Sequence, residues 1–151
     1  MSARYAHTNL IAYDWRRLVE FYTAVFGCTV IPPERDYRGT EIEAVTGIPG
    51  AHLQGVHLRL PGYDEGGPTL EVFHYDSLAP AGEAAVNRPG FSHIAFQVED
   101  VAKARGQVLT HGGRAIGDVV TLTTKTGRQV IVCYVADPEG NVIELQCWLP
   151  L

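Results

Sequence analysis

Two histidines and two glutamates occupy corresponding places in the two halves of the chain, and together they offer the ligands of a divalent metal ion. His7 begins the stretch HTNLIAYD and His93 begins HIAFQVED, while Glu71 lies in TLEVFHY and Glu144 lies in NVIELQCW. A carboxylate among apolar and aromatic neighbours is costly to bury unless it has a partner. If the two halves pack symmetrically, the four side chains converge on one ion.

The donor types narrow the choice of metal only in part. Two neutral imidazoles and two carboxylates suit Ni, Co, Mn, Fe or Zn and do not decide among them. Four protein ligands on an octahedral ion leave two positions for water or substrate, as a Lewis acid requires. Each residue alone has an ordinary explanation, since a strand histidine commonly packs in the core and a strand glutamate commonly faces solvent. The coincidence of all four at corresponding places predicts a metal site.

The elements that must position these residues are repeated as well. The stretches that begin with the two histidines are apolar and end at Asp14 and Asp100, and a helical pattern follows each aspartate. This predicts a strand and then a helix with an aspartate N-cap. Gly27 ends the first helix, and Gly112 and Gly113 end the second. Strand-like segments follow in both halves, VHLRL in the first and QVIVCYV in the second.

We therefore predict an α+β fold made of two βαβββ modules that together form one domain. Residues 1–75 form the first module and residues 91–151 form the second. Residues 76–90 are rich in Pro, Ala and Gly, which is typical of a linker. Residues 38–52 account for the greater length of the first half, and we interpret them as a loop or short helix that lies over the site as a lid.

The composition excludes several classes of function. The net charge is −5 with no basic cluster, which argues against nucleic acid as a partner. No apolar run reaches the length of a membrane span, and the N-terminal stretch lacks the apolar core of a signal peptide. Cys28, Cys133 and Cys147 are odd in number and widely spaced, which indicates reduced thiols in a cytoplasmic protein.

The motifs together resemble the vicinal oxygen chelate superfamily. It includes glyoxalase I, methylmalonyl-CoA epimerase, extradiol dioxygenases, and fosfomycin and bleomycin resistance proteins. The resemblance covers nearly the whole chain and rests on HTNLIAYDWRRLVEFYTAVFG, TLEVFHY, GFSHIAFQVED and DPEGNVIEL. It implies paired βαβββ modules whose mixed sheets curl around a metal cleft. It also implies that His7, Glu71, His93 and Glu144 are the metal ligands.

The ligand set implies the isomerase branch of that superfamily. Extradiol dioxygenases and fosfomycin-modifying members use three protein ligands, whereas Glu71 here supplies a fourth, as in glyoxalase I and the epimerase. Bacterial glyoxalase I binds glutathione partly through an Arg and an Asn, at positions that Ile11 and Tyr75 occupy in this chain. Neither residue supplies the charge or amide that the tripeptide carboxylates need. His57 falls at or near the position of the catalytic glutamate of the epimerases.

The chemistry implied by the resemblance is metal-dependent proton abstraction next to the carbonyl group of a small substrate, by an isomerase or lyase. We expect Glu144 to act as ligand and base, with Glu71 or His57 returning the proton. Whether Glu71 is a ligand or a free base stays open. By analogy we also expect a homodimer, with the modules paired either within one chain or across two.

Two other functions remain open because a fold does not fix a function. A non-haem Fe(II) dioxygenase of the extradiol type would use His7, His93 and Glu144 as ligands and leave Glu71 outside. A non-catalytic binding protein would sequester a small apolar ligand and need no metal.

The other three histidines are predicted to take no part in metal binding or catalysis. His74 follows Glu71 by an odd number of residues, so it faces the opposite side of the strand and is structural or exposed. His52 and His111 stand beside glycine-containing turns, and we predict that both are solvated.

Overall fold

Two units with a similar order of elements follow one another in the computed structural model, which describes residues 2–150. One compact unit extends to Ala81, and the other begins at Gly82. The described residues form two mixed sheets, one of four strands and one of five, together with three helices. The predicted α+β fold with a strand, a helix and further strands in each half is confirmed.

The first unit contains a four-stranded sheet. Its elements are β1 (His7–Ile11), α1 (Trp15–Phe26), β2 (Thr29–Arg38), α2 (Thr40–Thr46), β3 (His52–Arg59) and β4 (Thr69–Tyr75). The strand order is β1-β4-β3-β2, with β1 parallel to β4 and the other neighbours antiparallel. The short helix α2 occupies part of the segment 38–52.

The predicted caps of the first long helix are present. The Asp14 side chain accepts a hydrogen bond from the backbone N–H of Arg17 at 3.1 Å. The helix ends at Gly27, whose φ of 70° lies in the left-handed region that glycine adopts without a steric penalty.

Helix α1 packs on one face of the first sheet and thereby defines its other face. The apolar side chains of this core are buried, namely Leu18, Phe21 and Tyr22 of α1, Val56 and Leu58 of β3, and Leu70 and Val72 of β4. Successive residues of a strand point to opposite faces of a sheet. The residues that alternate with this core, including His57 and Glu71, therefore belong to the face away from the helix.

The second unit contains a five-stranded sheet. Its elements are β5 (His93–Gln97), α3 (Val101–Thr110), β6 (Arg114–Ala115), β7 (Val120–Thr123), β8 (Gln129–Ala136) and β9 (Val142–Trp148). The strand order is β5-β9-β8-β6, and β7 also pairs with β8. Strand β5 runs parallel to β9, as β1 does to β4. The Asp100 side chain caps α3 by accepting from the backbone N–H of Lys103 at 2.9 Å.

The core of the second unit lies between α3 and one face of its sheet. Its buried side chains are Val101 and Val108 of α3, Cys133 and Val135 of β8, and Ile143 and Leu145 of β9. By the same alternation, Tyr134 and Glu144 point to the opposite face. No described helix has the length and apolar character that crossing a membrane requires.

Candidate functional site

In the first sheet, His7 and Glu71 are brought together by the parallel pairing of β1 with β4. The register places His7 opposite Thr69 and Asn9 opposite Glu71, so His7 and Glu71 are diagonal neighbours on one face. The Nε2 atom of His7 lies 3.4 Å from Oε2 of Glu71. Glu71 is one of the few charged residues that the fold buries, at 9% exposure.

His93 and Glu144 repeat this arrangement in the second sheet. Strand β5 pairs with β9 so that His93 lies opposite Val142 and Ala95 lies opposite Glu144. The Nε2 atom of His93 lies 3.4 Å from Oε2 of Glu144, the same separation as in the first unit. The four side chains that the sequence singles out thus form two His–Glu pairs, one in each unit.

The donor chemistry and spacing of each pair fit a divalent metal. With metal–ligand distances of about 2.1 Å, two donors that bind one ion at a right angle lie about 3 Å apart. The nitrogen–oxygen separation of 3.4 Å in each pair is close to that value. Within residues 2–150, no group of three or more His, Cys, Asp or Glu side chains is arranged to hold a metal ion. Each pair on its own is therefore an incomplete set of donors for a metal ion.

His57 lies beside the first pair. It stands opposite Glu71 on the neighbouring strand, with its Nε2 atom 2.8 Å from Glu71 Oε1. Its Nδ1 atom lies 3.2 Å from the hydroxyl oxygen of Thr69. Burial lowers the pKa of His57 because it disfavours the imidazolium, Arg35 and His7 act in the same direction, and Glu71 opposes the shift.

Tyr134 is a functional candidate that the sequence analysis does not identify. It lies opposite Glu144 on β8, as His57 lies opposite Glu71 on β3, and its ring centroid is 5.2 Å from that of His93. Burial raises the pKa of Tyr134, and the charge of Glu144 and a hydrogen bond to that carboxylate raise it further. The signal that reveals it is the strand register of the repeat.

Asn9 is a second residue that the sequence analysis leaves without a role. Its Nδ2 atom donates a hydrogen bond to Oε2 of Glu71 at 3.0 Å. The contact follows from the register, because Asn9 is the residue of β1 directly opposite Glu71. The available signal is that Asn9 shares a strand face with His7, two residues away.

The remaining histidines lie outside these pairs. His74 has a structural contact, with Nδ1 2.9 Å from the carbonyl oxygen of Ala12, and His111 is exposed as predicted. The prediction that His52 is solvated is wrong. Its side chain is only 16% exposed, with Nε2 2.8 Å from Asp36 Oδ1 and Nδ1 2.7 Å from Asp76 Oδ2.

Comparison with known proteins gives both a family and a fold. The chain matches the model of the Glyoxalase/Bleomycin resistance protein/Dioxygenase superfamily over residues 4–145. A glyoxalase family protein from Bacillus cereus is 20% identical with a TM-score of 0.84, and the match covers 99% of this chain and 97% of that one. The trypanothione-dependent glyoxalase I of Leishmania major is 24% identical with a TM-score of 0.63, over 95% of this chain and 86% of that one.

A third solved structure is a glyoxylase/bleomycin resistance protein/dioxygenase domain from Frankia sp. EAN1pec. It is 16% identical with a TM-score of 0.60, over 99% of this chain and all (100%) of that one. No curated protein matches the chain. At these identities the solved structures establish the fold and leave the reaction open. The family match spans both His–Glu pairs, and by it the chain belongs to the Glyoxalase/Bleomycin resistance protein/Dioxygenase superfamily.

Proposed function

We propose that the protein is a divalent-metal-dependent isomerase or lyase of the glyoxalase type that acts on a small carbonyl compound. The observation that carries this proposal is the repetition of one His–Glu pair in both sheets. The two pairs share the same strand register and the same separation of 3.4 Å between imidazole nitrogen and carboxylate oxygen. Metal binding accounts for both pairs at once, because an ion that takes two donors from each unit requires the same arrangement in both.

The proposed ligands of one ion are His7, Glu71, His93 and Glu144. Each unit supplies half of the set, and the two halves belong either to one chain or to two chains of a homodimer. Two imidazole nitrogens and two carboxylate oxygens suit Ni, Co, Mn, Fe or Zn. When bound, such an ion supplies Lewis acidity that stabilises the negative charge developing on a substrate carbonyl oxygen.

The protein's own groups then move the proton. In the proposed reaction Glu144 takes the proton from the carbon next to the carbonyl, and Glu71 or His57 returns it on the other side. Tyr134 lies opposite Glu144 on the neighbouring strand, where its hydroxyl can donate to that carboxylate. His57 makes the corresponding contact to Glu71 at 2.8 Å.

The residues around the pairs favour a substrate without a glutathione-like tripeptide. Ile11 ends β1 and Tyr75 ends β4, and these are the positions where bacterial glyoxalase I carries polar groups for glutathione. Ile11 has no polar side-chain atom and Tyr75 has only a neutral hydroxyl. We infer a small carbonyl substrate that lacks those carboxylates.

A second candidate function is an extradiol-type dioxygenase that uses Fe(II). The observation in its favour is that both oxygens of Glu71 already accept hydrogen bonds or lie in close contact, Oε1 with His57 and Oε2 with Asn9. In that reading His7, His93 and Glu144 hold the iron, and Glu71 stays outside. Oxygen consumption by the Fe(II)-loaded protein in the presence of catechol separates this reaction from isomerisation, which consumes no oxygen.

Metal content tests the proposed function directly. Untagged protein is stripped, refilled with Ni, Co, Mn, Fe or Zn, and measured by mass spectrometry. We expect about one tightly held metal ion per chain in the wild type and in the control Glu83→Gln, which changes an exposed residue. Loss of binding is expected in His7→Ala and in His93→Ala. If the wild type retains no metal under any of these conditions, the proposal is wrong and a metal-free binding protein becomes the better interpretation.

Turnover of a carbonyl substrate then tests the role of Glu144. Once a substrate is found, Glu144→Gln is expected to abolish turnover while keeping part of the metal, because a neutral amide still offers an oxygen but cannot accept a proton as a base. Undiminished turnover in this variant contradicts the assignment.

A further inference from the structure

The two His–Glu pairs differ in the residue that faces the carboxylate from the histidine strand. Asn9 is paired with Glu71 across β1 and β4, and Ala95 is paired with Glu144 across β5 and β9. The two positions correspond, since each stands two residues after the histidine of its strand. One carries a hydrogen-bond donor and the other carries a methyl group.

This difference leaves Glu71 more firmly held than Glu144. Glu71 Oε2 accepts a hydrogen bond from Asn9 Nδ2 at 3.0 Å, and Glu71 Oε1 lies 2.8 Å from His57 Nε2. Both oxygens of Glu71 are therefore fixed from two different strands. Glu144 has Tyr134 on the neighbouring strand, but the methyl group of Ala95 cannot donate. The side chain of Glu71 is 11% exposed, against 19% for Glu144.

A hydrogen bond from Asn9 does not prevent Glu71 from binding a metal. A carboxylate oxygen has two lone-pair directions, so Oε2 can accept from the amide and still face an ion. Hydrogen bonds to a charged acceptor are the stronger kind. Groups that hold a ligand in its binding orientation raise metal affinity, and their loss typically costs about 10- to 100-fold.

We propose that Asn9 is a positioning residue that presets Glu71 as a metal ligand, which makes the first unit the better-ordered half of the site. Glu144 lacks this support and is the carboxylate that can readjust, as a base must when it takes up a proton. This inference rests on the proposed function, because it assumes that both pairs bind metal.

Cobalt binding tests the inference without a substrate. Co²⁺ is titrated into the metal-free protein, and both the affinity by calorimetry and the visible absorption band of the bound ion are recorded. Asn9→Ala and Asn9→Leu both remove the donor, and the leucine keeps the approximate volume of the side chain. We expect both variants to bind Co²⁺ about tenfold or more weakly, with a shifted absorption band. Asn87→Ala, at an exposed position outside all elements, serves as the matched control and is expected to bind as the wild type does.

The reciprocal change provides a second test. Ala95→Asn places an amide opposite Glu144 at the position that Asn9 holds opposite Glu71. Ala95 is exposed, so there is room for the larger side chain. We expect Ala95→Asn to bind Co²⁺ severalfold more tightly than the wild type, because the second carboxylate is then preset as well.

The outcomes separate this inference from the proposed function. If the wild type binds Co²⁺ and both Asn9 variants bind it equally well with an unchanged band, Asn9 does not position Glu71 and the metal site still stands. If Asn9→Leu binds normally and only Asn9→Ala is impaired, side-chain volume rather than donation is responsible, and the inference is again overturned. If the wild type binds no Co²⁺, the proposed function fails and this inference fails with it. Thermal unfolding of each metal-free variant verifies that it is folded.

Discussion

His57 lies directly opposite Glu71 on the neighbouring strand, with 2.8 Å between its Nε2 atom and Glu71 Oε1. The same register places Tyr134 opposite Glu144 in the second sheet. In both units, therefore, a side chain that can donate a proton lies beside the carboxylate of the His–Glu pair. The donor is an imidazole in one unit and a phenol in the other, so the two halves of the proposed site are chemically unequal.

The contact between His57 and Glu71 is predicted to stabilise the metal-free fold. His57→Leu removes the donor and leaves Glu71 Oε1 without it in a largely buried place, which costs about 1–3 kcal/mol of unfolding free energy. Urea denaturation of the metal-free protein measures the loss. A double-mutant cycle with Glu71→Leu isolates the pair, because the second substitution should cost less once the first has been made. Strictly additive losses in the cycle argue against a direct interaction.

Tyr134 is predicted to remain protonated to a higher pH than an ordinary tyrosine. Burial, the charge of Glu144 and the hydrogen bond to it all raise the pKa of Tyr134, since each disfavours the phenolate. The ultraviolet absorbance of phenolate is recorded against pH for the wild type and for Tyr134→Phe. Their difference is the titration of Tyr134 alone among the seven tyrosines, and its midpoint is expected above the ordinary value of about 10. A midpoint at or below that value contradicts the predicted environment.

The sequence predicts much of this geometry because the repeat is visible in residue types. His7 and His93 stand at the same place in their strands, and Asp14 and Asp100 cap the helices that follow. Because side chains alternate between the two faces of a strand, these matching positions also predict which residues share a face. Asn9 and Ala95 share a position and differ in chemistry, so the sequence places Asn9 on the face of His7 but does not indicate its contact with Glu71. Only the parallel register brings it out.

Other features depend on contacts that the local sequence does not encode. His57 and Tyr134 correspond in register but not in type, and Tyr134 lies within the apolar run QVIVCYVA, where the pattern indicates a core strand. Strand β2 contains Pro32 and Pro33, which argue against a strand, but it is the edge strand of its sheet and so tolerates residues that cannot donate. His52 meets carboxylates from β2 and from the end of β4, both distant in sequence.

The cluster around His52 is predicted to make stability depend on pH. The neighbouring Asp76 and Asp36 raise the pKa of His52, with burial and Arg38 opposing, and hydrogen bonds from Gln54 and His52 lower the pKa of Asp36. The folded-state pKa of His52 lies above its unfolded value. The stabilisation that His52 contributes to the fold is therefore fully present below about pH 6.5 and is lost as pH rises through the folded-state pKa. The contribution of Asp36 has the opposite sense and is lost only as pH falls through its lowered pKa, below about 4.

Urea denaturation of the wild type and of His52→Gln at several pH values measures this dependence. The difference in unfolding free energy is expected to be larger at about pH 5.5 than at about pH 9, because the imidazolium that the two aspartates stabilise exists only at the lower pH. His111→Gln is the matched control, since that histidine is exposed and its Nδ1 atom lies 2.8 Å from the carbonyl oxygen of Gln107. A pH-independent difference for His52→Gln rules out the charged cluster.

Substitution by alanine is predicted to destabilise the protein at Gly55 and to stabilise it at Gly106. A Cβ atom on Gly55 would lie 2.1 Å from the Val72 carbonyl oxygen and 2.7 Å from Phe73 Cα, whereas a Cβ atom on Gly106 meets nothing within 4 Å. In β3, the added methyl group of Gly55→Ala must displace β4 close to Glu71. This overpacking is expected to lower the free energy of unfolding by at least about 1–3 kcal/mol. In α3, Gly106→Ala is expected to raise the free energy of unfolding by about 0.5–1 kcal/mol, because alanine favours the helix. Unfolding free energies from urea denaturation decide both signs, and a Gly55→Ala variant as stable as the wild type would contradict the close approach of the two strands.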